Sequence, residues 1–554
     1  MTPSMKRKKD SYPDLLEIEY RLAELPSAQH RAGLAGLVLM AGWIKQEYVT
    51  RGICDLEVTE KVVTLYLDLL GLSELFNGLY AATREEQQRL QPVRNQRTRE
   101  VIPPLREEVR EVPDPESGRM RLTKYYVYET IVPKGAFLAE LDPSVDEEDG
   151  LWIRLWREVV WSILRSVPAT RRPYEARAND ERSNDYETVW NDLRRGWDHA
   201  VSLPGTYFIG AQSITAERLP FRDRARHQFL LNFWPLVAQV YVPVLYGPEN
   251  DLNLRGFVLA VPDVRRVDLF GRLFPPMLKA RSSDPYRPRQ YRPAGSIIDL
   301  VEEAGLDLLR RLGEEAAPLT VGEIIDGVEL FHLEREGNSV RQLQFCRVEP
   351  EEGLIEAYRR VKMLFHHPGF RRQQLVNILG EQDLWYAGYD RLLEQLPLSQ
   401  TLMNGPFRRD VEAVFAWVER ETGPGDETLV CRAVVRLLAG AASDEARSEP
   451  DGLTLRQFRT RLARELFLGV RARRGRDFIE YFLSQIHSAR RMDSGRQRGE
   501  PCRDRAAAAD SNGGWEELEV MIEKRPDRIR TLTMLALIAA VAGTTVEEDG
   551  NDVS

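Results

Sequence analysis

Cysteine is scarce in this chain, which has four among its 554 residues: Cys54, Cys346, Cys431 and Cys502. No two of them are spaced as Cys-x-x-Cys, so neither a zinc ribbon nor a dithiol redox motif is indicated. Reduced thiols that lie far apart in the sequence are typical of proteins in a reducing compartment. We therefore expect a cytoplasmic protein.

Histidine is also rare, with seven residues, and no His-Glu-x-x-His motif occurs. His366 and His367 are adjacent, and adjacent side chains point apart rather than toward one metal ion. The chain also lacks a Gly-x-x-x-x-Gly-Lys-Ser/Thr loop for nucleotide phosphates and a Gly-x-Ser-x-Gly nucleophile elbow. These absences predict no catalytic residue, no metal and no cofactor, although a missing motif does not by itself exclude catalysis.

Long apolar runs are missing as well. The most apolar stretch, Leu532–Val541, is far shorter than the ~20 residues that a membrane-spanning helix needs. The basic residues 1–10 are not followed by the apolar region of a signal peptide. We expect Leu532–Val541 to form a core helix and the protein to have no membrane partner.

An excess of positive charge is absent too, since 77 basic and 86 acidic residues give a net charge of −9. This excludes a uniformly basic surface but not local basic patches, on which nucleic-acid affinity depends. Arginine is concentrated in four segments, at 168–187, 217–227, 279–293 and 456–476. Each alone could be a solvated face with salt bridges, but four of them in an acidic protein favour a bound polyanion.

The hydrophobic pattern changes near residue 350. Before this point, strand-like alternation and helical periodicity are mixed, and after it almost every segment has helical periodicity. We therefore predict an α+β fold, in which a mixed α/β domain precedes an all-helical bundle. The expected parts are a mixed domain at 1–350 with a hairpin at 105–133, a bundle at 351–492, a disordered linker at 493–514 and C-terminal helices at 515–543.

The same patterns predict individual elements. Strands are expected at 14–22, 207–213, 255–262, 328–334 and 340–348. Helices are expected at 60–70 and 151–164, and a long polar surface loop at 168–187. In the second helix, Trp152, Trp156 and Ile163 lie close to one helical stripe, which indicates core packing rather than a surface for stacking bases.

One expected helix begins with an unusual combination of residues. Ser27 is a good N-cap, and an apolar helix with Gly33 and Gly36 follows. The first turns carry three polar side chains, Gln29, His30 and Arg31. Because each glycine weakens a helix by about 1 kcal/mol relative to alanine, we predict that another part of the backbone packs closely on this helix.

This opening segment, Leu25-Pro-Ser-Ala-Gln-His-Arg-Ala-Gly-Leu-Ala-Gly36, resembles the N-terminal signature of a CRISPR large-subunit family. The family is the type I-B-like, MYXAN-subtype large subunit of the Cascade effector complex. Further matches in the same order are Thr206–Ser213, Phe221–Arg226, Gln228–Pro235 and Gly256–Asp263. The second half of the chain resembles the family only in being helical and basic.

The resemblance implies a non-catalytic subunit of an antiviral, RNA-guided complex. Its expected partners are CRISPR RNA, target double-stranded DNA, the Cascade backbone and small subunits, and a helicase–nuclease effector. The large subunit would recognise a short protospacer-adjacent motif in duplex DNA while the guide pairs with the target strand. Two alternatives remain open at this point: a metal-dependent nuclease that uses the carboxylates, and a structural interaction protein that contacts no nucleic acid.

The candidate site residues fall into three groups, and for each residue a hydrogen bond within the fold is the alternative role. Motif recognition and DNA binding are assigned to Asn179, Arg182, Asn184, Gln212, Arg222 and Arg224. Guide RNA binding or assembly is assigned to Gln29, His30 and Arg31. Binding of the displaced strand is assigned to Arg456, Arg459, Arg464, Arg471, Arg473 and Arg474.

Overall fold

The structure is a computed structural model, and it describes most of the chain in two compact units. The described residues are 15–47, 51–94, 98, 100–113, 120–142, 150–183, 185–203, 207–209, 221–246, 252–282, 292–337, 339–423, 425–448, 455–496 and 513–542. The first unit comprises the described residues up to Leu245 and again Leu252–Glu351. The second comprises Tyr246 and the described residues from Glu352 onward.

The first unit mixes strands and helices. Its strands, of which β9 ends one residue past the unit boundary, are β1 (Leu16–Arg21), β2 (Cys54–Val58), β3 (Val62–Leu67), β4 (Ala82–Arg89), β5 (Arg106–Pro113), β6 (Met120–Pro133), β7 (Ala200–Ser202), β8 (Arg222–Arg224), β9 (Gln239–Tyr246), β10 (Leu252–Leu254), β11 (Phe257–Val264), β12 (Ile297–Ile298), β13 (Ile325–Glu336) and β14 (Ser339–Val348). Its helices are α1 (Ala28–Glu47), α2 (Leu69–Leu79), α3 (Phe137–Leu141), α4 (Leu151–Val159), α5 (Arg172–Ala178), α6 (Tyr186–Leu193), α7 (Ala225–Leu230), α8 (Val267–Ser282) and α9 (Glu303–Ala316).

The second unit is helical in its described part. Its helices are α10 (Glu352–Leu364), α11 (Pro368–Leu379), α12 (Tyr389–Gln395), α13 (Gly405–Thr422), α14 (Asp426–Ser448), α15 (Leu455–Arg471), α16 (Gly475–Arg496), α17 (Gly513–Lys524) and α18 (Pro526–Ala542). The predicted fold class, a mixed N-terminal region followed by a helical region, is confirmed.

The largest sheet of the first unit has the strand order β10–β9–β11–β13–β14, and β12 pairs with β9. All eight residues of β11 are buried, and α1 packs on this strand. A strand that is covered on both faces needs a near-continuous apolar run, and Phe257–Val264 supplies it. The expected strands at 255–262, 328–334 and 340–348 are confirmed by β11, β13 and β14.

The expected helix at 60–70 is wrong. Residues Val62–Leu67 form β3, which lies between β1 and β2 in an antiparallel sheet. Val63, Leu65 and Leu67 are fully buried and alternate with partly exposed neighbours. This period of two, together with the stiff β-branched side chains, favours a strand. The helix that follows is α2, whose N-cap Asp68 accepts a hydrogen bond from the Gly71 amide at 2.6 Å.

The strands on either side of residues 114–119 pair antiparallel, as a hairpin at 105–133 requires. Arg106 of β5 is opposite Val127 of β6, and β4 pairs with the other edge of β6. The turn at 114–119 itself lies outside the described residues.

The aromatic helix begins at Leu151 as expected. It forms α4 and then continues as one π-helical turn, Val160–Leu164. Trp152, Trp156 and Ile163 are at most 6% exposed, and Trp156 Nε1 donates a hydrogen bond to the Pro235 carbonyl at 2.8 Å. The interpretation of this stripe as core is therefore confirmed.

The expected surface loop at 168–187 is also wrong. A 3₁₀ turn at Pro168–Arg171 leads directly into α5, and α6 begins at Tyr186. Tyr174 is 4% exposed and meets the Tyr80 ring edge-on at a centroid distance of 5.1 Å. A few apolar residues are enough to hold so short a helix once they have a tertiary partner. Because arginines outnumber them in this segment, its sequence resembles that of a polar loop.

The most apolar stretch of the chain forms the centre of the second unit. Within α18, every residue from Leu532 to Leu537 is at most 1% exposed, and α18 packs against α13, α14 and α15. The expected core helix at Leu532–Val541 is confirmed. In the described part of the chain, the helices fall short of the length and apolarity that crossing a membrane requires.

Only a few residues of the expected linker at 493–514 lie within the described part of the chain. Helix α16 continues to Arg496, and α17 begins at Gly513. Residues 497–512, which make up most of the expected linker, lie outside the described residues.

The close backbone approach expected for α1 is present and leads to a paired prediction. A methyl group on Gly33 would lie 2.3 Å from the Leu230 carbonyl oxygen, whereas one on Gly42 would meet nothing within 4 Å. We expect Gly33→Ala to lower the free energy of unfolding by about 1–3 kcal/mol through overpacking. Gly42→Ala, in the same helix, should raise it by about 0.5–1 kcal/mol because alanine favours helix. Urea unfolding of both variants, followed by circular dichroism, measures this difference, and equal effects would contradict it.

Candidate nucleic-acid interface

The three polar residues at the start of α1 each bind a different part of the first unit. Gln29 is 1% exposed. Its amide nitrogen donates to the Ile209 carbonyl at 3.1 Å, and its amide oxygen accepts from the Ile209 backbone nitrogen at 3.0 Å. Gln29 thus fixes a segment that was expected to be a strand. Residues 207–209 are a turn, and 210–213 lie outside the described residues.

His30 is 2% exposed and joins α1 to β8. Its Nε2 lies 2.8 Å from Asp223 Oδ2, and its Nδ1 lies 2.7 Å from the Ser27 hydroxyl. Because an ionised carboxylate only accepts hydrogen bonds, the fitting neutral tautomer donates from Nε2 and accepts from Ser27 at Nδ1. Ser27 therefore binds the imidazole next to the helix start that it precedes.

Asp223 accepts from two imidazoles. His227 Nδ1 lies 3.2 Å from its second carboxylate oxygen, and the backbone amide of Arg224 donates to the same oxygen at 2.7 Å. Partial burial opposes ionisation, but hydrogen bonds from His227 and His30 outweigh it and hold the pKa of Asp223 well below its usual value. The carboxylate is therefore charged at neutral pH.

Arg31 joins α1 to the central sheet. Its Nε donates to Asp263 Oδ1 at 2.5 Å, and Arg347 of β14 donates to Asp263 Oδ2 at 2.7 Å. Asp263 is 1% exposed, so two arginines compensate one buried charge. The opening trio thus connects α1 to the turn at 207–209, to β8 and to the sheet. Contact of these side chains with RNA stays a prediction, and the two buried ones have partners within the fold.

The arginines on either side of Asp223 lie on the opposite face of β8, because side chains alternate along a strand. Arg222 is exposed and donates to the Ala200 carbonyl at 3.0 Å. The guanidinium of Arg224 lies over the Trp197 ring at 4.6 Å, and Trp197 is 61% exposed. This arrangement presents one exposed cation, one partly exposed cation and one exposed aromatic ring to solvent.

Of the four remaining DNA-binding candidates, the structure describes Asn179 and Arg182. Asn179 is the C-cap of α5 and accepts a hydrogen bond from Arg84 Nε at 3.0 Å. Arg182 is exposed three residues further on. Asn184 and Gln212 lie outside the described residues. The structure thus places Asn179 and Arg182 together after α5.

The arginines of 456–476 belong to two parts of the chain: Arg456, Arg459 and Arg464 lie within α15, whereas Arg473 and Arg474 follow its end at Arg471. Arg471 donates to the Glu394 carbonyl and Arg474 to the Glu394 carboxylate. Arg530, which is 3% exposed, donates to the same carboxylate at 2.8 Å. Although desolvation opposes it, hydrogen bonds from Arg530 and Arg474 lower the pKa of Glu394. This cluster of Arg471, Arg474, Arg530 and Glu394 stabilises the second unit.

The other members of the segment differ in exposure. Arg473 lies over the Tyr481 ring at 4.2 Å and donates to the Gly469 carbonyl at 2.8 Å. Arg459 is partly exposed, and Arg464 is exposed. The side chain of Arg456 lies outside the described residues. Arg464 and Arg474 are thus the exposed candidates among the described side chains, and because Arg474 is bound to Glu394, Arg464 is the one we select for binding a polyanion.

Sequence reasoning missed Trp197, Asp223 and Arg530. An acid within the basic run Arg222-Asp-Arg224 could have indicated an internal ion pair at Asp223. Trp197 stands in a polar context, Arg194-Arg-Gly-Trp-Asp198, which is a pattern for an exposed aromatic residue. Nothing in the sequence connects Arg530 with Glu394.

The adjacent histidines have structural roles. The Asp410 carboxylate accepts from the backbone amides of His366 and His367 at 2.7–3.0 Å. His367 is the N-cap of α11, and burial lowers its pKa to about 4. Among the described residues, histidine, cysteine and acidic side chains do not cluster in threes that could hold a metal ion.

The Asp223 contacts lead to a prediction about stability and pH. Asp223→Ala removes the acceptor for buried His30, which should cost about 1–3 kcal/mol at neutral pH. A carboxyl group with a depressed pKa in the folded state stabilises above its unfolded pKa, about 4, and loses that contribution as the pH falls further. The difference in melting temperature between the wild-type chain and Asp223→Ala should therefore shrink between about pH 7 and about pH 3. Asp198→Ala, at an exposed site, is the control, and a pH-independent difference would contradict the assignment.

Comparison with known proteins identifies the family. The model of the Type I-B CRISPR Cas8b N-terminal domain matches residues 53–320, and that of the Type I-B CRISPR Cas8b C-terminal domain matches 325–428 and 440–540. The first match begins after the opening signature at Leu25–Gly36, and the second extends the likeness over the helical region. Comparison with curated proteins gives no match. The two domain matches cover most of the chain in the expected order, and the chain therefore belongs to the type I-B CRISPR Cas8b family, the large subunits of Cascade.

Proposed function

We propose that this Cascade large subunit recognises the protospacer-adjacent motif in duplex DNA, aids opening of the duplex and recruits the helicase–nuclease. The observation that carries the proposal is the combination of exposed Arg222, partly exposed Arg224 and the exposed Trp197 ring over which Arg224 lies. Guanidinium groups bind phosphates in a planar, bidentate manner. An exposed aromatic ring next to them can stack on a base where the duplex opens.

Positioning and recognition require different groups. Contacts to phosphates fix the register of a protein on DNA, and contacts to base edges select the sequence. Asn179 and Arg182 are our candidates for base contacts, since their side chains suit adenine and guanine edges. Arg84 already binds the Asn179 side-chain oxygen, so motif recognition by Asn179 would use its amide donors or an exchange of partners.

For the second unit we propose binding of the displaced single strand, with the exposed Arg464 as the first contact to test. The partners proposed for the whole protein are CRISPR RNA, target DNA, the Cascade backbone and small subunits, and the helicase–nuclease effector. Its role is non-catalytic, and its location is the cytoplasm. The family membership supports these proposals.

The first test concerns phosphate binding. The double variant Arg222→Gln/Arg224→Gln, within the assembled complex, should weaken binding to duplex DNA of every sequence and reduce the slope of log affinity against log salt by about 1–2. Arg272→Gln changes an arginine that is 71% exposed elsewhere in the first unit and should have no such effect. A salt titration by gel shift measures both. An unchanged slope in the double variant would contradict the assignment.

The second test concerns sequence recognition. We expect Asn179→Ala/Arg182→Ala to relax the preference for the adjacent motif, with a loss of about 1–3 kcal/mol at each contacted base. The measurement is affinity for a set of duplexes that differ only in the motif. If both affinity and preference match those of the wild-type complex, this pair does not recognise the motif.

The third test concerns the displaced strand. Arg464→Gln should lower the affinity of the full chain for single-stranded DNA and reduce its salt slope by about 0.7. Arg436→Gln, at an exposed position of α14 in the same unit, is the matched control. Fluorescence anisotropy measures both variants, and equal losses would show that Arg464 makes no specific contact.

A further inference from the structure

A cavity of about 240 Å³ opens to solvent beside β7 and β8 in the first unit. Its floor contains Phe76 and Phe229, which are at most 1% exposed, and Tyr207 also lines it. Pockets for drug-sized ligands are about 300–1,000 Å³, so this one suits a single planar ring system. Three aromatic side chains give such a ring an apolar surface to contact.

Two carboxylates line the cavity, together with four polar side chains that can both donate and accept hydrogen bonds: Thr188, Tyr207, Gln228 and Asn232. Asp185 lines it, and its side chain makes no capping bond although it precedes α6. Burial raises the pKa of Asp185, so its carboxylate is partly withdrawn from water. Asp192 lines the same cavity and lies 3.3 Å from His199 and 3.6 Å from Arg195. The cavity therefore suits a ring that carries N–H donors.

The rim carries one cation. Val201 lines the cavity and is paired with Asp223, whereas Arg222 and Arg224 lie on the opposite face of β8 and do not belong to this rim. Arg195, which is 61% exposed at its side chain, lies 3.6 Å from Asp192 and supplies the cation. Carboxylates inside and a guanidinium group outside match a nucleotide, with its donor-bearing base and its anionic phosphate. A partner's arginine or lysine would fit the carboxylates but would be repelled by Arg195.

We propose that this cavity binds one unpaired nucleobase with amino donors, guanine best, while Arg195 at the rim binds a flanking phosphate. Guanine offers two adjacent N–H donors on its Watson–Crick edge to one carboxylate, and unpaired bases are commonly bound by this edge and by aromatic contacts. The inference rests on the nucleic-acid-binding role proposed above and adds to it a site for a base that has left the duplex or the guide.

The test uses the full chain and short oligothymidylates that carry one central guanine, adenine or cytosine, with affinity measured by fluorescence anisotropy. We expect the guanine oligonucleotide to bind about fivefold or more tightly than plain oligothymidylate. Asp185→Asn should abolish this preference. Glu187→Gln removes the same charge from α6 at an exposed position outside the cavity lining and should preserve it. Comparing these two variants distinguishes loss of a specific contact from a general change of charge.

A second variant tests the cavity by filling it. Thr188 is exposed and lines the cavity, so Thr188→Trp should also remove the guanine preference, with circular dichroism confirming the fold. A preference that survives both Asp185→Asn and Thr188→Trp overturns the proposal. Equal binding of all oligonucleotides by the wild-type chain also overturns it. If, in addition, a short arginine peptide binds and its binding depends on Asp185, the cavity is a peptide site instead. Failure of the assembled complex to bind any duplex would instead overturn the proposed function itself.

Discussion

The first unit depends on the close contact between α1 and the backbone at residues 230–233. Carbonyl oxygens of Leu230 and Phe233 occupy the space that side chains at Gly33 and Gly36 would need. This approach brings the first turn of α1 within hydrogen-bonding reach of three other segments. Glycine weakens the helix itself, but its small size permits a contact that no larger residue could make.

Through this contact, the interior of the protein controls what its surface presents. His30 holds Asp223, and alternation along β8 then directs Arg222 and Arg224 to the other face. The same short strand also flanks the cavity whose lining includes Asp185 and Asp192. The buried contacts of Asp223 and the side chains of Arg222 and Arg224 therefore lie on opposite faces of the same strand. A change in the network is expected to alter the proposed interface even though the network contacts no ligand.

Sequence patterns predicted the elements whose periodicity is strong and whose burial is extensive. The buried strand Phe257–Val264, the aromatic helix at Leu151 and the apolar helix α18 are examples. Patterns failed at Val62–Leu67, where a period of two was taken for a helical one, and at 168–187, where arginines concealed the short helix α5. In both places the deciding factor was a neighbouring element, namely β1 and β2 for the strand and Tyr80 for the helix.

For the candidate site, the sequence by itself determined the family, through ordered local motifs, and the supply of arginine in particular segments. Only the tertiary structure decided which arginines are available. Arg471 and Arg474 are bound to Glu394, although Arg474 is itself exposed, whereas in α15 the exposed Arg464 lies outside this cluster. The physical reason is that a charged side chain is taken up by whatever partner the fold brings within a few ångströms. Partners such as Glu394 and Arg530, 136 residues apart, meet only when the chain has folded.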